Sequence, residues 1–136
     1  MKNCWLFLSA VSGFFCVAFR AFASHRLQAD LDLKSLGWIE TGLKYQMFHT
    51  VSLLALGLFQ IANFRQNPPA CRTKAFRLIG GSWSLGIALF SGSLYALALG
   101  ADRGLVWVTP VGGLLFLIGW AGLCYISIVR QKSENE

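Results

Sequence analysis

At 136 residues, with 55% hydrophobic and only 13% charged side chains, the chain falls well below the roughly 25% charged content of soluble domains. That composition excludes an ordinary water-soluble fold. The net charge of +6 does not indicate a nucleic-acid partner. The basic residues sit in short connections between apolar runs, where they act as topology signals and contacts for anionic headgroups.

Four uncharged runs, roughly Asn3–Phe19, Tyr45–Phe64, Leu78–Ala101 and Leu105–Val129, approach or exceed the length a helix needs to cross about 30 Å of hydrocarbon. The expected fold is all-α: one integral membrane four-helix bundle over residues 1–136, with helices at about 5–23, 38–64, 74–100 and 109–129.

The first helix follows Lys2 and ends near Ala21-Phe22-Ala23. That ending imitates a signal-peptide cleavage site, but the run is longer than a usual signal core and Arg20 sits beside the cut. A membrane helix is the expected reading. Ser24 to Gly37 is expected to be a short amphipathic turn at the interface, with Leu27, Leu31 and Leu36 among charges and Trp38 as a headgroup-level anchor. In the second helix, Glu40 and Lys44 form an i,i+4 pair in the favoured order. Asn67-Pro68-Pro69 then stops helix continuation. The third helix leads to a turn containing Asp102, Arg103 and Gly104. Thr109-Pro110 should open the fourth, with threonine as cap and proline at the first helical position.

With four crossings, Lys2, Arg65, Arg72, Lys74, Arg77, Arg130 and Lys132 share one side, and Arg20, Arg26, Lys34, Lys44 and Arg103 the other. The positive-inside rule then places both termini in the cytoplasm, and the expected location is the inner membrane.

Lipid gives helices little hydrophobic reason to associate, so small residues that permit close backbone approach take over. Gly80, Ser84, Ala88, Gly92 and Ala96 form such a ridge on helix 3, and Gly112, Gly113, Gly119 and Gly122 add to it from helix 4. This serves packing within the bundle, an oligomer interface, or both. Thr41, Tyr45, His49 and Ser52 fall on one face of helix 2, with Gln46 beside them. Polar groups in hydrocarbon need partners, so this stripe is expected to face the bundle, with Ser91, Ser93 and Tyr95 as candidate partners.

His49 has two readings. It is an interhelical hydrogen-bonding residue, or it is a proton carrier, haem ligand or quinone contact. A bis-histidine haem conflicts with geometry. At 1.5 Å per residue, His25 sits near the far interface and His49 well inside. Arg20 and Glu40 should share a membrane face and are a candidate ion pair. The cysteines, Cys4, Cys16, Cys71 and Cys124, show no metal-binding spacing, and the two in apolar runs (Cys16 and Cys124) act as small hydrophobes. No nucleophile–base set, P-loop or dinucleotide-binding glycine motif occurs. No enzyme activity and no cofactor are expected.

Residues 38–49 contain E-T-G-x-x-Y-Q-x-x-H, residues 90–95 read F-S-G-S-L-Y, and residues 109–113 read T-P-x-G-G. In order and spacing these resemble a small inner-membrane family of unknown function typified by YgdD. The resemblance implies a four-helix membrane protein and a retained first helix, but no established reaction. It also marks His25, the end of the family's G-A-F-G-A-H. Here that stretch reads Arg20-Ala21-Phe22-Ala23-Ser24-His25, with both glycines replaced.

Two functions follow. The leading one is a non-enzymatic accessory or assembly component whose partners are membrane lipids and further copies of itself or a larger membrane complex. The alternative is a ligand- or proton-handling site for a quinone, lipid or small solute, built from Glu40, Tyr45, Gln46 and His49. A transporter is weaker, because four helices leave little room for alternating access and no inverted repeat is evident.

Overall fold

The computed structural model describes residues 3–62 and 74–134. Four helices in it are long and apolar enough to cross a membrane. They are α1 (Cys4–Phe22), α2 (Leu33–Ala62), α3 (Lys74–Ala98) and α4 (Val108–Glu134). The Asn67-Pro68-Pro69 stop and Cys71 lie outside the described residues.

Each end has a local cause. Asn3 caps α1, its side-chain oxygen accepting from the amides of Trp5 and Leu6 at 3.1 and 3.2 Å. The expected surface turn over Ser24–Gly37 is not a separate element. Ala23–Leu27 continues α1 as a π turn, and Gln28–Asp30 adds a last helical turn. Helix α2 already begins at Leu33, five residues earlier than expected. The reason is Asp32, whose carboxylate accepts from the Ser35 amide at 2.9 Å, the N-cap geometry that satisfies an orphan helix donor.

Hydrogen bonding from the side chain and backbone of Ser35, aided by Lys34, holds the Asp32 carboxyl below its ordinary value. A depressed folded-state value means the cap is intact above the usual carboxylate value of about 3.9 and is lost as pH falls through the lower, folded one. The exchange protection of the Ser35 amide should therefore drop on acidification in the wild type. In Asp32→Asn, which caps without titrating, it should stay level.

Helix α3 ends in a Schellman motif. The Ala101 amide reaches the Ala96 carbonyl at 2.9 Å and the Gly100 amide the Leu97 carbonyl at 3.2 Å. Gly100 supplies the left-handed φ of +89° that this closure requires. Thr109 does not cap α4. Asp102 instead caps a 3₁₀ turn over Arg103–Trp107, accepting from the Gly104 amide at 2.7 Å. This turn runs directly into α4, so Thr109 and Pro110 fall within the first helical turn, where proline's missing amide is harmless.

The expected small-residue ridge on α3 is broken. A π turn over Ile87–Ser91 adds a residue to that turn, so positions four apart across it no longer stack. Ala88 is exposed, and a Cβ on Gly92 would meet nothing within 4 Å. The close approach to α4 is made elsewhere. A Cβ on Gly112 would run into the backbone nitrogen of Phe90, and one on Gly119 into the Trp83 indole.

Two apolar clusters result. One joins Trp5 of α1 to Leu53, Leu56, Ile79, Trp83 and Phe116. The other gathers Cys16, Ala23, Ile39, Leu43, Tyr95 and Ala98. Helix α1 is thus part of the core through Trp5. Between the clusters, near the middle of α2, lies a belt of buried polar side chains.

Candidate functional site

The belt is built on α2 by Gln46, His49 and Thr50, which are buried together with Gly42, Leu43 and Leu53. The inward face is therefore rotated from the expected stripe. Thr41 and Ser52 turn their hydroxyls back to the carbonyls of Gly37 and Phe48, at 2.9 and 3.0 Å, so they need no interhelical partner. Tyr45 is 47% exposed. Its ring lies on Phe90, centroids 4.6 Å apart.

His49 is 2% exposed. Its Nδ1 lies 2.8 Å from the Tyr45 carbonyl, and Trp120 Nε1 lies 3.1 Å from its Nε2. A carbonyl only accepts and an indole N–H only donates. Nδ1 therefore carries the proton and Nε2 accepts, which defines one neutral tautomer. The imidazole stacks on Phe116, centroids 3.6 Å apart and planes within 9°. Phe48 meets it edge-on. Both ring nitrogens are thus occupied in an aromatic box.

A second chain of bonds crosses three helices. Tyr95 donates its hydroxyl to Gln46 Oε1 at 2.8 Å. Gln46 Nε2 donates to Ser12 Oγ at 3.1 Å, and Ser12 Oγ pairs with Thr50 Oγ1 at 2.6 Å. Ser9 donates to the Thr50 carbonyl at 3.1 Å, and Ser91 to the Gly42 carbonyl at 2.8 Å. Gly42 is small because the Tyr95 ring lies over it: a Cβ there would come within 2.6 Å of the ring. Ser93 belongs elsewhere, its hydroxyl 2.7 Å from Thr109 Oγ1.

Of the sequence candidates, Gln46, His49, Ser91 and Tyr95 meet in this belt. Glu40 and His25 do not. Glu40 is exposed and pairs with Lys44 at 3.1 Å. The candidate Arg20–Glu40 ion pair is not formed, although both residues line one cavity between α1 and α2. The local i,i+4 partner needs no interhelical approach, so it wins. His25 borders that same cavity, which His49 does not reach. Among the described residues no group of three or more His, Cys, Asp or Glu could hold a metal ion.

Sequence reading missed Trp120, Phe116, Ser12 and Thr50. Ser9 and Ser12 carried a usable signal, two hydroxyls on one face of an apolar run. Trp120 carried none.

We expect Tyr95→Phe to leave the Gln46 carbonyl oxygen without its donor. Interhelical bonds in membranes average about 0.6 kcal/mol, so the expected loss is about 1 kcal/mol, read as a lowered unfolding midpoint in detergent. The packing against Gly42 should survive.

Residues 19–113 match the family described as "Protein of unknown function (DUF423)". A UPF0382 membrane protein of Haemophilus influenzae is 55% identical over 133 residues, covering 98% of this chain and 99% of its own. The UPF0382 inner membrane protein YgdD of Escherichia coli K12 is 41% identical over 135 residues, covering 96% and 92%. A UPF0382 membrane protein of Staphylococcus saprophyticus is 36% identical over 118 residues, covering 85% and 89%. No solved structure matches the chain. Motifs, four spanning helices and near end-to-end similarity agree: the chain belongs to the UPF0382 (DUF423) family and is a multi-pass inner-membrane protein of the YgdD type.

Proposed function

We propose that the protein is a non-enzymatic accessory component of the membrane that acts through lateral contact of its helices with a partner membrane protein. The observation that carries this reading is where its polar chemistry goes. Among the described residues, Trp83 Nε1 is the one buried side-chain polar atom without a hydrogen-bond partner. His49 is held by the Tyr45 carbonyl and the Trp120 indole, and Gln46, Tyr95, Ser12 and Thr50 hydrogen-bond one another, so the polar groups of the belt are spent on holding the helices together.

What the protein offers outward at membrane depth is shape. An open apolar groove of about 580 Å³ runs between α2, α3 and α4, lined by Phe48, Phe59, Phe76, Trp83 and Trp120 among others, with no charged side chain. In lipid, association rests on such packing. A photo-crosslinking amino acid at Val51, exposed on this groove, tests the reading in native membranes. One discrete adduct of defined protein mass, weakened by Ala55→Trp, supports it. Adducts with lipid alone, or an unaltered pattern in Ala55→Trp, oppose it.

A ligand- or proton-handling site centred on His49 needs a cavity touching that residue. His49 lines neither of the two large cavities, and no other observation favours that alternative.

A further inference from the structure

The second large cavity, about 570 Å³ between α1 and α2, differs in character from the apolar groove. We propose that it is a binding site for one anionic glycerophospholipid, with the phosphate against Arg20 and an acyl chain lying between Val17 and Met47.

The register of the two helices sets the polarity of the cavity. Asn3 bonds the Gly57 carbonyl, and Ser12 meets both Gln46 and Thr50. The helices are therefore antiparallel, with Arg20 and Glu40 at nearly one level. Ser24 and His25 lie toward the membrane face. Val17 lies just under one turn deeper than Arg20, and Met47 about two turns deeper than Glu40, or about 5 and about 10 Å at 1.5 Å per residue. The cavity thus passes from charged to apolar along the bilayer normal, as a phospholipid does.

Charge selects the headgroup. Glu40 is neutralised by Lys44 at 3.1 Å. The Arg20 guanidinium has no ion-pair or hydrogen-bond partner among the described residues, which leaves the lining with one uncompensated cation. Near the end of α1 the exposed guanidinium can reach headgroup level, and its planar fork fits a phosphate. Val17 is 74% exposed, so the apolar end opens sideways, where lipid arrives. The site is independent of the lateral-contact reading, because it uses a different face of α2.

Native mass spectrometry from nanodiscs of equal phosphatidylglycerol and phosphatidylcholine tests this. The wild type should retain one phosphatidylglycerol per chain in at least tenfold excess over phosphatidylcholine. Arg20→Gln should abolish that preference, and Arg103→Gln, a cation on another connection, should keep it. Val17→Trp fills the apolar end without touching charge. It should also reduce retention, and it serves if Arg20→Gln fails to fold. Equal retention of the two lipids, an unchanged preference in both Arg20→Gln and Val17→Trp, or displacement of the lipid by 10 mM inorganic phosphate would overturn the proposal.

Discussion

Gly112→Ala should lower the stability of the fold by about 3 kcal/mol, while Gly113→Ala, one residue on, should be nearly silent. The two glycines are indistinguishable in the T-P-x-G-G string but differ in space. A Cβ on Gly112 would collide with the backbone nitrogen, Cα and Cβ of Phe90, whereas a Cβ on Gly113 would meet the Phe90 ring at an ordinary 3.8 Å. A flexible side chain can swing aside, but helix backbone cannot. Helix α4 would have to move away from α3 along its length. This would loosen the Phe116 ring, which sits over Gly86 and against His49. Overpacking in a tight core costs about 1–3 kcal/mol, sometimes more. A contact that admits only backbone displacement belongs at the upper end of that range. The check is the thermal unfolding midpoint of both variants in the same detergent, read by circular dichroism. Equal midpoints for the two would show that the helices are not this close.

His49→Ala should destabilise by about 2–4 kcal/mol, the sum of a cavity beside an aromatic stack and an orphaned buried donor. Most of this is shape. The bond from Trp120 is worth about 1 kcal/mol in a membrane, but the imidazole also fills the space between Phe116 and Phe48. A double-mutant cycle separates the two contributions. Trp120→Phe alone should cost about 1 kcal/mol, because Nε2 loses its donor. In the His49→Ala background the same change should cost little, since the partner is already absent. If His49→Ala left the unfolding midpoint unchanged, the histidine would not be the structural joint described above, and a chemical role would have to be sought for it.

The rotated face of α2 shows where sequence reading succeeds and where it stops. Spacing alone grouped Thr41, Tyr45, His49 and Ser52. Two of those hydroxyls satisfy themselves on their own helix, an option open to any threonine or serine and invisible to a periodicity argument. Gln46, placed beside the stripe, has no such local option within its reach and turned inward to Tyr95. Its side chain needs both an acceptor and a donor, and α1 and α3 supply them through Ser12 and Tyr95. The ridge on α3 failed for a related reason. Four-residue spacing assumes an unbroken α turn, and the π turn at Ile87–Ser91, set between Gly86 and Gly92, breaks that assumption. Arg20 and Glu40 do line one cavity between α1 and α2, but proximity along one helix wins, and Glu40 pairs with Lys44.

The order of residues was enough to set the solvent, the number of crossings and the need for buried polar partners. Apolar length, charge placement and hydrogen-bonding capacity are properties of short segments, and a bilayer reads them one segment at a time. Which imidazole nitrogen meets which indole, which glycine lies under a neighbouring backbone, and where an uncompensated cation borders an apolar cleft were decided only when the four helices packed. Those relations join residues as much as 71 positions apart, as His49 and Trp120 are. They depend on rotations of a fraction of a turn that no single helix specifies.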